Sequence, residues 1–229
     1  MARTVAGLVP FTSIDFPGYL AAVIFFQGCP LRCPFCHNPN LQSVTESLQT
    51  WQEAFDFLKT RQKRLDGVVL SGGEPLMQPD VQNMLQQLKD LGFKTAIHTS
   101  GVYPDRLREI LPFLDWVGLD IKGPWDKYDI LSGRKKMVEK VQESLKILIE
   151  SDVDFECRTT CDPNHLTPAD TLQIAQDLKK MGVQTYALQK YNTFPEDKNP
   201  PSVMEIESFF TSESLSPIQK LYPKLIVRK

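Results

Sequence analysis

Cysteine occurs three times within eight residues of the stretch FFQGCPLRCPFCHNPN, at Cys29, Cys33 and Cys36. Thiolates at such short, regular spacing ligate iron–sulfur clusters. Three of them supply three corners of a four-iron cube. The fourth iron is left open, as a catalytic zinc keeps one position for substrate. Two blander readings compete. A structural zinc would need His37 as its fourth ligand, and His37 directly follows Cys36, so the pair would meet one tetrahedral ion awkwardly. Thiols that merely fill a core fit poorly in a segment interleaved with Pro30, Arg32 and Pro34. The chain holds five cysteines, an odd number that argues against a secreted disulfide scaffold and for metal or redox chemistry in a reducing compartment. Cys157 reads as a small buried hydrophobe, and Cys157 with Cys161 is too small a set for a second cluster.

The elements that must position these thiols are legible in the hydrophobic pattern. Short apolar, β-branched runs at residues 20–27, 67–71, 93–99, 115–122, 153–160 and 183–190 predict strands. Several are apolar throughout, as in a parallel sheet buried on both faces. Between them lie helix-period sets: Trp51, Ala54, Phe55, Leu58; Val81, Met84, Leu85, Leu88; and Val138, Val141, Leu145, Leu148. Each lines one helical face. Thr167 before Pro168 predicts an N-cap and first helical position, and Gly182 suits that helix's C-terminal end. About six strand–helix units are fewer than the eight that close a barrel. The expected fold is therefore α/β, a partial, open parallel β/α barrel in a single domain over residues 1–229. Its core spans about 18–190, and a C-terminal loop and tail follows over 191–229.

Chemistry-bearing groups recur where the predicted strands end, the place where ligands bind in such sheets. The cysteine run follows the first strand. SGGEP (Ser71, Gly72, Gly73, Glu74, Pro75) ends the second, HTSG (His98, Thr99, Ser100, Gly101) the third and DIKG (Asp120 to Gly123) the fourth, while Arg158 lies near the end of the fifth. Gly72 and Gly73 would let backbone approach a ligand closely. Asp120 and Lys122, two apart, would enter one cavity from one strand face, with a purely architectural ion pair as the alternative. Arg158 has the fork geometry for a carboxylate. His165 reads as a surface residue. Hydrophobic residues make up 41% and charged residues 24% of 229, at a formal net charge of −2, so a packed core is expected and no basic excess points to nucleic acid. No signal-peptide core or bilayer-length apolar run is read, so a soluble, cytoplasmic chain without a membrane partner is expected.

Together these residues carry a resemblance. C-x3-C-x2-C with Phe35 before the third cysteine, and GGEP after the second strand, resemble the radical S-adenosylmethionine superfamily. The longer strings SIDFPG, FFQGCPLRCPFCHNPN and DGVVLSGGEPLMQ are similar to its glycyl-radical-enzyme activating group, most of all to the short single-cluster anaerobic ribonucleoside-triphosphate reductase activating proteins. The resemblance implies a [4Fe-4S] cluster on Cys29, Cys33 and Cys36, whose open iron takes the amino and carboxylate groups of S-adenosylmethionine. It implies no catalytic residue beyond those ligands. Cofactor contacts would come from Phe35 (adenine), Gly72, Gly73 and Glu74 (ammonium), Thr99, Ser100, Asp120 and Lys122 (ribose and methionine end) and Arg158 (carboxylate). A residue within Gln189–Tyr191 would close the adenine pocket. His98 stands where the group usually has Asp, which puts a monovalent-cation site in doubt. Implied partners are a glycyl-radical enzyme, foremost anaerobic ribonucleoside-triphosphate reductase, and flavodoxin or ferredoxin as electron donor. Competing functions are pyruvate formate-lyase-type activation, a radical reaction on a small molecule, and a non-catalytic iron–sulfur or zinc module.

Overall fold

The computed structural model describes residues 5–44, 49–193 and 199–228. One eight-stranded sheet runs in sequence order, β1 (Val5–Thr12), β2 (Ala21–Phe26), β3 (Gly67–Gly72), β4 (Lys94–Thr99), β5 (Trp116–Asp120), β6 (Asp154–Cys161), β7 (Tyr186–Lys190) and β8 (Ile226–Arg228). From β2 onward every neighbouring pair is parallel. β1 runs antiparallel to β2 with two register irregularities. The sheet is open, with β1 and β8 at its edges. Helices α1 (Trp51–Lys59), α2 (Val81–Asp90), α3 (Pro104–Ile110), α4 (Tyr128–Ser132), α5 (Met137–Ile149), α6 (Pro168–Met181), α7 (Val203–Glu207) and α8 (Ser212–Leu221) make the crossovers.

The six expected strands are β2 to β7, and the anticipated helical faces are buried: Trp51, Ala54 and Leu58 on α1, and Val81, Met84, Leu85 and Leu88 on α2. Thr167 accepts from Asp170 N in a capping box, and Gly182 closes α6 in the left-handed region at φ 99°. Two strands, β1 and β8, and four helices, α3, α4, α7 and α8, lie outside the expectation. Pro10, which has no N–H to donate, falls at the register irregularity between Val9 and Thr12 of β1, and an edge strand tolerates it. The segment expected as loop and tail carries α7, α8 and β8; Pro217 inside α8 and a strand of three residues blur the period there. The proline-rich loop expected at 191–202 falls partly, at 194–198, outside the described residues.

Strand alternation separates two cores. Ala22, Ile24, Phe26, Val68, Leu70, Ile97, Val117 and Leu119 pack under the helices. Ala21, Val23, Val69, Ala96 and Trp116 face the opposite, concave side with Phe16. Period two then dictates the next residues on that concave face, Phe25, Ser71, His98, Asp120, Arg158, Thr160 and Gln189. All of them line one cavity at the carboxyl ends of the strands. The floor is apolar and the mouth is polar.

Candidate active site at the mouth of the sheet

Cys29, Cys33 and Cys36 are free, half-buried thiols on the rim of this cavity. Their loop is stitched shut. Gly28 adopts φ 92°, its N–H donates to Leu41 O at 2.8 Å, and Cys29 N donates to Gln42 O at 3.1 Å. Leu31 and Phe35 anchor it by burial. Burial pushes the Cys29 thiol up to about 11 and raises Cys33 as well, so metal loading must displace protons. No three His, Cys, Asp or Glu among the described residues close around a single metal ion. Three free thiols spread round one cavity suit the corners of a cluster better than one zinc, and the donor set, soft sulfur only, fits iron–sulfur ligation.

Phe35 lines the cavity and packs on His165 at 5.9 Å between ring centroids; His37, also on the cavity, packs on Tyr191 at 5.6 Å. His165 is therefore not a plain surface residue: it is half-buried, with Nδ1 2.5 Å from Oδ2 of the buried Asp162. Within Gln189–Tyr191, Gln189 lines the cavity, while Lys190 pairs with Glu207 at 2.5 Å.

Gly72 and Gly73 line the cavity, but the space they leave is filled by the chain itself. A Cβ on Gly72 would lie 2.2 Å from Phe26 N, and one on Gly73 2.3 Å from Gly28 O. Glu74 departs from its expected place. It is fully buried and absent from the cavity lining. Its Oε1 accepts from Thr99 Oγ1 at 2.7 Å and Leu76 N at 3.1 Å, and its Oε2 accepts from Ser100 N at 2.9 Å and Ser100 Oγ at 2.5 Å. Burial raises its pKa against these bonds. With four donors already satisfied, the carboxylate ties SGGEP to HTSG instead of facing a ligand ammonium. Thr99 and Ser100 line the cavity, but their hydroxyls are turned to Glu74.

Asp120, Lys122 and Arg158 do share the cavity. Arg158 Nε and Nη2 both reach Asp120 Oδ1, at 2.9 and 2.8 Å, and Lys122 Nζ lies 3.1 Å from Oδ2. Burial works against the Asp120 charge, but Arg158 and then Lys122 outweigh it and hold the carboxyl well below its usual range. Lys122 is held charged by Asp120 against its own burial. Both Asp120 oxygens thus already carry a cationic partner. His98 Nε2 lies 2.9 Å from the Asp15 carbonyl, which can only accept, so the proton sits on Nε2. Burial and Arg158 push its pKa down to about 3. A neutral ring and a doubly paired carboxylate are poor ligands for a monovalent cation. Sequence reasoning missed Gly118, where a Cβ would lie 2.9 Å from Arg158 Cζ; the glycine inside a strand pattern is the signal that a neighbour approaches closely.

Comparison with known proteins agrees with this geometry. Residues 23–178 match the family model of the Radical SAM superfamily. A Methanocaldococcus jannaschii protein named as a glycyl-radical enzyme activating enzyme is 32% identical over 83% of this chain and 81% of its own length. Pyruvate formate-lyase-activating enzyme of Clostridium pasteurianum is 38% identical over 54% of each chain, so this chain spans about half of that relative. QueE from Escherichia coli superposes with a TM-score of 0.62 over 100% of this chain and 94% of its own, at 17% identity, a likeness of fold. The chain belongs to the radical S-adenosylmethionine superfamily, among the glycyl-radical-enzyme activating enzymes, whose cofactors are a [4Fe-4S] cluster and S-adenosylmethionine.

Proposed function

We propose that this enzyme installs a glycyl radical in anaerobic ribonucleoside-triphosphate reductase. The observation that carries the activase reading is the extended similarity to activating enzymes, which spans most of this chain and of its M. jannaschii relative. The sheet supports it: a groove lined by Gly7, Leu8 and Val9 of β1 and by Pro34 and residues 38–41 runs into the cavity, sharing Phe25, Cys33, Cys36 and His37 with it. A backbone segment of a large partner can enter from that side.

Cys29, Cys33 and Cys36 would hold the cluster. Bound together, cluster and S-adenosylmethionine would supply the one-electron radical chemistry needed to remove a hydrogen atom from a glycine α-carbon. The chain's task is to bind, orient and keep water out. Phe35 and His37 offer the adenine an aromatic wall. Lys122, with one contact spent on Asp120, and the Nη1 of Arg158 offer donors to the methionine carboxylate. The Ser71–Gly73 backbone would take the ammonium end, with Glu74 holding that turn against Thr99 and Ser100.

A second partner has its own support, since the relatives named for pyruvate formate-lyase activation share 33–38% identity over half the chain. The test is anaerobic reconstitution with S-adenosylmethionine, reductant and each candidate partner. A glycyl doublet in electron-resonance spectra of the reductase is expected. A doublet in pyruvate formate-lyase alone reassigns the partner, and rapid turnover of a small substrate without any partner sinks the activase reading. In cells the donor is expected to be a reduced flavodoxin or ferredoxin.

A further inference from the structure

The motif cysteines are flanked by a segment that the cofactor site does not use. Between Ile130 and Val138 the chain carries Arg134, Lys135 and Lys136 and no acidic residue, in a protein of net charge −2. The segment is built onto the cysteine loop. Arg32 N donates to Ser132 O at 2.9 Å, and Arg134 Nε donates to Pro30 O at 2.8 Å. Arg32 Nη1 donates to the Cys29 and Leu31 carbonyls, each at 2.7 Å. Gly133 sits at φ 67°, with the Arg32 carbonyl oxygen 2.5 Å from where a Cβ would be. Lys136 is held at φ 62°, a conformation uncommon for a residue with a side chain. Asp129 fixes it by accepting from Lys136 N at 2.7 Å and Met137 N at 2.9 Å. The acid nearest the run is thus spent on backbone; Asp126 and Glu139 lie beyond its two ends. Arg32, Arg134, Lys135 and Lys136 are all exposed, beside Ile130 at 80% exposure.

We propose that this basic face is where an acidic one-electron carrier protein docks to reduce the cluster. The inference rests on the activase reading, which requires an electron from outside. In the step served, the carrier is oxidised by one electron and the cluster reduced by one, with no proton moved. Two of the four cations touch the carbonyls of Cys29 or its neighbour Pro30, so a carrier seated on them stands within a residue of a cluster ligand. The groove at β1 remains open for the glycyl partner. A carrier must leave after each transfer, and a small patch of clustered charge around one apolar side chain suits such an encounter: electrostatics sets the on-rate while the buried area stays low.

The test uses the reconstituted holoenzyme and a purified bacterial flavodoxin as probe. Lys135→Glu/Lys136→Glu changes two exposed side chains that make no salt bridge within 4 Å among the described residues, although Lys135 acts on the Asp129 carboxylate at longer range. Lys220→Glu/Lys224→Glu makes the same charge change on α8 and the turn after it, away from the mouth. At low salt the first variant should weaken flavodoxin binding by roughly tenfold or more, an effect lost at about 0.5 M salt, where the Debye length is only a few ångströms. Flavodoxin-driven S-adenosylmethionine cleavage should slow in parallel, while dithionite-driven cleavage, iron content and the circular dichroism spectrum stay as in wild type. The second variant should bind flavodoxin as wild type does. Equal affinity in wild type and the first variant overturns the proposal. So does loss of affinity for the glycyl-radical partner with flavodoxin binding kept, which would give the face to that partner. Absence of dithionite-driven cleavage in the wild type would instead sink the activase reading itself.

Discussion

At the scale of single residues, two cysteines of one chain have opposite fates because of where they stand. Cys33 is half-exposed on the cavity rim, whereas Cys157 is fully buried on the helix-facing side of β6. Cys33→Ala should abolish cluster-dependent S-adenosylmethionine cleavage. Cys157→Ala should leave cleavage largely intact and cost about 1 kcal/mol of stability, the scale of a small core truncation. Iron content and 5′-deoxyadenosine release check both, and loss of the cluster in folded Cys157→Ala would refute the assignment. His98 gives a second test. Its pKa falls from 6.5 to about 3 on folding, under burial and Arg158, with Asp120 and Arg228 also acting on it. The unfolded chain therefore binds the extra proton between those values. Stability contributed by the neutral ring is complete above pH 6.5 and declines as pH falls toward 3, by up to about 1.4 kcal/mol per pH unit. Glu74, whose pKa is raised, works the other way in the acid range, so the informative quantity is the difference between wild type and His98→Gln. Denaturant unfolding from pH 7 to 4 should show the steeper acid decline in wild type; parallel curves would exclude a neutral buried His98.

At the scale of elements, what makes the mouth is the close approach of strand ends. Gly73 N donates to Phe26 O and Glu74 N to Gly28 O, at 2.9 and 2.8 Å, so the end of β3 is sewn to the start of the cysteine loop. Gly73→Ala would drive a methyl into the Gly28 carbonyl. The expected outcome is at least a tenfold loss of S-adenosylmethionine affinity together with poorer iron retention, read by equilibrium dialysis and iron assay; wild-type values for both would mean the turn yields freely. Sequence carried this region only in part. The strands β2 to β7 were legible because burial on both faces leaves unbroken apolar runs, and α6 because its capping box and terminal glycine are local signals. From spacing alone the glycines read as room for a ligand, but Phe26 and Gly28 occupy that room, which only the fold shows. The setting of Glu74 is hidden from the sequence for the same reason: its four donors come partly from Thr99 and Ser100, on another strand's end. Asp120, Lys122 and Arg158 could be assigned to one mouth, but which cation takes which oxygen depends on β5–β6 register.

At the scale of the whole molecule, an open sheet must manage the concave face that a closed barrel would seal. β8 does this on one side. Three residues long and half-buried, it pairs with β7 and lays Arg228 opposite Gln189. From there Arg228 spans to β6, where its Nη1 and Nη2 meet the Glu156 carboxylate at 2.7 and 3.0 Å. Glu156 is 1% exposed and lies two residues before Arg158 on the same strand face, with Arg228 as its ion-pair partner. A buried pair is weak evidence for stability as a pair, but removing one member strands the other. Arg228→Met should therefore destabilise the fold by about 2–4 kcal/mol, the lower part of the usual range, because the arginine side chain is a quarter exposed. That corresponds to a Tm lower by about 5–15 °C for a chain of this size. Adding Glu156→Gln removes the stranded charge and should recover at least half of the loss. Thermal unfolding of the two single variants and the double variant gives the coupling directly, and additive losses would show that β8 is held by its backbone ladder alone. The same strand borders Gln189 on the cavity wall, so Arg228→Met should also raise KM for S-adenosylmethionine severalfold. Recovery of KM in the double variant, in step with Tm, would tie closure of the sheet edge to the shape of the cofactor cavity.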